Sequence, residues 1–264
     1  MDLRRGVTVA LHTTKASLLG QMQYRTDFLV QIGMAFFWAT WAVMPVLLVY
    51  SIRENIAGFD RDQALLVLAA YICAKALLDG LISPNMLAVV EHVRRGTLDF
   101  VLLKPVDSQL MISTGRVVVA KLIDLVSGIV IGAIALSRVH PAPSPAALLL
   151  ALTMLLTGLV IIYSIWLMVV SIAFWLVKVD NLSYLFGSIF DAGRWPITVF
   201  RGWVRTMLTF VVPVAVVTSY PALAVLGRLP LESALVAVGL AVAFLLAGRR
   251  VWTWAVAHYA SASS

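Results

Sequence analysis

Residues 147–177 read ALLLALTMLLTGLVIIYSIWLMVVSIAFWLV, and none of them is charged. At about 1.5 Å per residue, a helix of this length exceeds the roughly 30 Å of hydrocarbon in a bilayer. The run is continuous, whereas a membrane barrel strand alternates apolar and polar residues over about ten positions. A helix that is apolar on every side belongs in lipid or in the centre of a bundle.

The rest of the chain follows that stretch. Of 264 residues, 61% are hydrophobic and 12% are charged, and the mean hydropathy is +0.96. A soluble domain carries about 25% charged residues. A soluble enzyme, a disordered chain and a disulfide-stapled secreted domain are therefore excluded. Cys73 is the single cysteine, so no intramolecular disulfide forms. The expected fold is an all-α polytopic membrane protein. No cleavable signal peptide is expected, because the first long apolar run starts near Phe28.

Spans are expected over about Phe28–Tyr50, Ala64–Val90, Leu110–Leu136, Ala147–Val177 and Leu231–Val251. Residues 1–24 place Leu3, Val7, Leu11 and Leu18 on one side and Arg4, Arg5, His12 and Lys15 elsewhere. That is the pattern of an interfacial helix lying among lipid headgroups. The 45 residues from Leu182 to Leu226 are too long for one pass. Two arrangements fit them. A span over about Leu182–Val199 can precede two short helices, about Gly202–Phe210 and Pro213–Leu226, which dip into the outer leaflet and return. Alternatively, an interfacial helix precedes a span over about Met207–Leu226. Either gives six crossings. With the N-terminus inside, the inner segments hold ten Lys and Arg, among them Arg94, Arg95, Lys104, Lys178, Arg249 and Arg250. The outer loops hold four, Arg53, Arg61, Arg138 and Arg228. Ten against four puts both termini in the cytoplasm. Counting Arg194, Arg201 and Arg205 in the same way favours the second arrangement. The eight tryptophans read as an aromatic belt, and Gly158 with its Ser and Thr neighbours as a site of close helix packing.

Chemistry of the chain's own is not expected. There is no G-x-x-x-x-G-K-[ST] loop for a nucleotide and no H-E-x-x-H pattern, and one Cys with four scattered His makes no metal site. Four ionisable residues fall inside spans. Lys75 and Asp79 are four apart, and Lys121 and Asp124 three apart, so each pair shares a helix face. Such residues cost roughly 2.5–3.5 kcal/mol at mid-membrane and turn toward protein or water. They form either a polar path or neutralised pairs that lock helices together. Asp79→Leu or Asp124→Leu alone is expected to lower folded yield by stranding a lysine.

Between the second and third spans lies EHVRRGTLDFVLLKPVDSQ, residues 91–109. Val93, Leu98, Val101 and Leu102 are apolar, while Glu91, Arg94, Arg95, Asp99 and Lys104 are charged. Gly96 permits a break, and Pro105 stops a helix at Lys104. The spacing predicts a short amphipathic helix across the membrane surface, tied to both spans; a solvated loop of basic residues reads equally well.

The sequence R-G-T-L-D at Arg95–Asp99, followed by Leu102-Leu103-Lys104-Pro105-Val106, resembles the G-x-L-D-x-x-L-x-K-P element of ABC-2 type transporter permeases, closest to the subgroup labelled DUF990. Phe210-Val211-Val212-Pro213-Val214-Ala215, then Ser219-Tyr220-Pro221-Ala222, is similar to that family's F-x-x-P-x-A…Y-P-A segment. Phe174-Trp175 also matches, and the resemblance runs over nearly the whole chain. It implies one transmembrane domain over 1–264. It implies six spans, cytoplasmic termini, and an external re-entrant segment at 200–226 containing Pro213, Tyr220 and Pro221. It implies that 91–109 is a coupling segment, in which Glu91, Arg94, Arg95, Asp99 and Lys104 meet a separate ATPase while Gly96 and Pro105 shape the element. ATP and Mg would bind that ATPase, not this chain. The partners implied are cytoplasmic ATPase subunits, membrane lipids and a second permease, a related chain in preference to an identical copy; no nucleic acid is implied. The function implied is export across a bacterial inner membrane. The alternatives from the residues are an ion-coupled carrier or channel using the buried Lys and Asp, and an integral membrane enzyme, which lacks a catalytic cluster.

Overall fold

The computed structural model describes residues 25–172, 174–175 and 187–259. The interfacial helix expected over 1–24 and the polar turn expected at 178–181 lie outside them. The regular structure among the described residues is all helical, with no strand and one isolated bridge, Ile56–Phe59. The helices are α1 (Arg25–Ile52), α2 (Arg61–Leu77), α3 (Ser83–Arg94), α4 (Asp99–Leu102), α5 (Ser108–Ser113), α6 (Ala120–Arg138), α7 (Pro145–Ile172), α8 (Gly202–Thr206), α9 (Val214–Val225) and α10 (Leu231–Ala257). Four helical stretches are long and apolar enough to cross a membrane: Leu29–Ile52, Arg61–Arg94, Pro145–Ile172 and Leu231–Ala257. A bent pair, Gly202–Val211 and Val214–Val225, meets at 92° and makes a fifth if its limbs form one span.

α2 starts where Asp60 caps it. The Gln63 amide donates to the Asp60 carboxylate at 2.9 Å, and the Gln63 side chain accepts in return from the Asp60 amide. α2 and α3 form one long rod through a π-helical turn at Leu78–Ile82. The third span differs from expectation. It does not begin at Leu110: α5 ends at Ser113, an irregular stretch follows, and α6 begins at Ala120. Asn85 explains the break. Its side chain is 2% exposed, accepts from the Arg116 amide at 2.7 Å, and donates to the Arg116 carbonyl at 2.7 Å. The Val118 amide donates to the Gly80 carbonyl at 2.9 Å. Backbone groups that a continuous helix would pair internally are thus paired across to the rod.

The segment after α7 also departs from expectation. Residues 187–191 are helical, but the helix ends at Asp191 rather than near Val199, and 3-10 turns follow at Ala192–Arg194 and Ile197–Val199. Pro196 lacks the donor a helix needs there. The two short helical limbs expected at about 202–210 and 213–226 are present. α9 is mostly buried against α7 and α2. Its contact with α7 is close because Gly158 has no side chain: a Cβ there would lie 2.3 Å from the Val217 side chain and 2.7 Å from its Cα.

Polar contacts sort the loops into two ends. At one end the Arg228 guanidinium donates to the Gly58 carbonyl at 2.9 Å and to Gln63 at 3.0 Å, and Arg138 approaches Asp62 at 3.9 Å. Residues 91–113 gather at the other end with Arg249. The last helix runs on to Ala257, so Arg249 and Arg250 lie two turns inside it. Trp166 and Trp252 leave the expected belt: both are buried, and the Trp252 indole donates to Ser108 at 3.1 Å.

Candidate functional site

The surface segment is more broken than its amphipathic pattern suggests. Glu91 and Arg94 are the last turn of α3, and the separate helix is a single turn, Asp99–Leu102. Gly96 makes the break. It has φ +65°, its amide donates to Val93, and the Thr97 amide reaches back to His92. Helix geometry ends at Leu103, and Pro105 follows Lys104. Glu91 and Arg95 pair with each other at 2.6 Å on the surface. Leu98 is fully buried and anchors the turn, while Phe100 and Leu103 are 69% and 80% exposed.

A polar latch then ties this segment to the last helix. Arg249 grips Asp107 through both carboxylate oxygens, one at 3.0 Å, and donates to Gln109 at 2.9 Å. Gln109 donates to the Tyr163 hydroxyl at 3.0 Å, which lies 2.7 Å from Ser113. Burial alone would push the Asp107 carboxyl up. The hydrogen bonds from Arg249 and from the Leu110 amide outweigh it and hold Asp107 below the usual carboxylate range. Sequence spacing missed Asp107 and Arg249, which are 142 residues apart.

The second cluster lies within the bundle. Lys75, Asp79, Lys121 and Asp124 line one cavity of about 440 Å³, walled by Trp38 and Trp41 of α1. Both expected pairs exist: Lys75 to Asp79 at 3.8 Å, and Lys121 to Asp124 at 3.0 Å. Lys75 has a nearer carboxylate, however, in Asp191 at 3.2 Å. Asp191 also accepts from the Tyr71 hydroxyl at 2.6 Å and faces Arg194 at 3.6 Å. Arg194 donates to the Tyr71 hydroxyl at 3.3 Å. Asp191 is therefore the hub of this cluster, and Arg194 belongs inside it. Their i, i+3 spacing was the signal available in the sequence. Of the remaining residues singled out, Pro213 caps the start of α9, Pro221 lies within it, and Tyr220 is partly buried on it.

Searches of curated proteins and of solved structures find no match to this chain. The model of the family described as ABC-2 family transporter protein matches residues 36–263, which takes in the later part of α1, residues 91–109, the cluster around Asp191 and the bent pair. A match over that much of the chain, on an all-helical and largely apolar bundle, settles the family: this is a multi-pass membrane protein belonging to the ABC-2 family of transporter proteins.

Proposed function

We propose that the chain is the permease subunit of an ATP-binding cassette exporter in the inner membrane of a bacterium. ABC-2 family membership implies an ATPase partner in general terms. The observation that carries the specific reading is the double attachment of residues 91–109. Their start is the end of the α2–α3 rod, and their finish is gripped by Arg249 of α10. Phe100 and Leu103 stand exposed between these anchors, beside Glu91, Arg94, Arg95, Asp99 and Lys104. Exposed apolar side chains rimmed by charge are the composition of a docking face. A partner that moves when it binds and hydrolyses ATP with Mg would pull on both attached helices, and rigid-body movement of packed helices would open a path.

The rest of the reading follows. α6, with 19 residues, is about 28 Å long, and it makes one crossing beside the four long helices. One further crossing between α7 and α10 brings the number to six, and the bent pair, α8 and α9, is an external re-entrant segment rather than part of that crossing. Both termini are cytoplasmic, and 1–264 is one transmembrane domain. The chain performs no catalysis. A second permease, a related chain rather than an identical copy, completes the pathway.

Arg94→Glu with Arg95→Glu tests the docking. The double variant should insert and fold normally, yet co-purify far less ATPase. Undiminished ATPase capture would remove residues 91–109 from the interface. Reconstituted alone, the chain should move no substrate; transport driven by an ion gradient without any ATPase would instead support a carrier built on Lys75, Asp79, Lys121 and Asp124.

A further inference from the structure

Behind the surface segment lies a smaller cavity, about 200 Å³, between α3, α4, α5 and the irregular stretch before α6. Three basic residues from three separate pieces of chain are among its lining residues: His92, and the exposed Lys104 and Arg116. No Asp or Glu is among its lining residues. The nearest acid in sequence, Glu91, is engaged with Arg95. The His92 Nδ1 lies 2.8 Å from the Thr97 hydroxyl. The floor is apolar and firm, with Val89 1% exposed, and Asn85 pins the wall by its paired hydrogen bonds to the Arg116 backbone.

We propose that this cavity binds a phosphate group, carried either by the headgroup of an anionic phospholipid or by a free phosphate. Lys104 and Arg116 bring two fixed positive charges to a cavity with no carboxylate among its lining residues, and phosphate offers several acceptor oxygens to lysine, arginine and imidazole donors. The volume equals about seven water molecules at roughly 30 Å³ each, which suits a phosphate with the first atoms of its substituent. The apolar floor suits the glycerol end of a lipid, and a basic pocket between helices at a membrane surface is the setting in which headgroups bind. Because the walls belong to α3, to the loop after α4 and to the α6 lead-in, an occupant would brace the joint through which the docking segment moves. The proposal rests on the placement of residues 91–119 at the inner membrane surface given above.

The test uses the full chain in dodecyl maltoside micelles, which carry no phosphate. Binding of dioctanoyl phosphatidylglycerol, inorganic phosphate and, as a neutral control, dioctanoylglycerol is followed by native mass spectrometry and by hydrogen exchange across residues 97–118. Saturable binding of a phosphate-bearing probe should slow exchange there. Arg116→Gln and Lys104→Gln should each weaken binding by about tenfold, the loss of one charge-assisted contact. Arg53→Gln, at the opposite end of the bundle, should bind as the parent does. Preference for phosphatidylglycerol identifies a lipid headgroup, and equal binding of inorganic phosphate identifies the free ion. Absence of saturable binding, equal binding of dioctanoylglycerol, or undiminished binding in folded Arg116→Gln would overturn the proposal. If Arg116→Gln does not fold, Lys104→Gln and the exchange pattern of the parent decide. No ATPase is present, so failure here leaves the docking reading standing, and loss of ATPase capture leaves this binding intact.

Discussion

Asp191 holds two cations and a tyrosine hydroxyl inside an apolar bundle. Removing one carboxylate from such a cluster matters according to what is left behind. Asp79→Leu leaves Lys75 with Asp191 at 3.2 Å, and should lower folded yield only slightly. Asp124→Leu leaves Lys121 without its 3.0 Å partner and should lower yield more. Asp191→Asn releases Lys75 and Arg194 together and should be the most damaging of the three. Detergent-extracted yield and melting temperature measure the order; Asp79→Leu ranking worst would refute the assignment of the hub. Asp107 gives a pH prediction. Folding holds its carboxyl below the ordinary range, so its stabilisation is fully present above the unfolded value of about 3.9. It is lost as pH falls through the lower folded value. The melting-temperature gap between the parent and Asp107→Asn should be constant from neutral pH to about 5, and should shrink below about 4. At this scale the sequence showed the local pairs because helix geometry fixes neighbours three and four apart. It did not show Tyr71–Asp191 or Asp107–Arg249, which tertiary packing brings together over 120 and 142 residues.

Among the elements, small residues and one amide decide how helices meet. Gly158→Ala would drive a methyl into Val217 of α9, including its backbone, and overpacking of this kind costs about 1–3 kcal/mol. A lowered melting temperature, with Gly239→Ala unaffected because nothing lies near that position, is the expected result. Asn85→Leu would leave the Arg116 amide and carbonyl without partners, at about 1–3 kcal/mol for each group that water does not reach. Faster hydrogen exchange confined to residues 114–119 is the signature to seek. The long apolar helices were legible because hydrocarbon thickness dictates their length. The interruption at 114–119 was not, since Gly115 alone does not mark a break and the side chain responsible lies 31 residues earlier. Gly96 was legible for the opposite reason: a left-handed turn after a helix is a local requirement that glycine meets best.

For the whole molecule, loop contacts gather residues 53–63, 138 and 228 at one end and residues 91–113 at the other. A cysteine at Asn55 should react with a membrane-impermeant thiol reagent in intact cells, while one at Lys104 should react only after the membrane is opened. Cys73 is partly buried against α6 and gives little background. Labelling of both positions from outside would overturn the proposed orientation. The break between the two short limbs was legible at Pro213, whereas their 92° angle was not, because it depends on how α9 packs against α2 and α7.

The π turn at Leu78–Ile82 and the irregular lead-in to α6 are each incomplete as helices, and the Gly80 carbonyl completes one with the Val118 amide of the other. Two imperfections that fit together act as a key in its slot. On the proposed mechanism, a shove delivered along the rod would pass at once to α6, and the two columns would travel as a single piston.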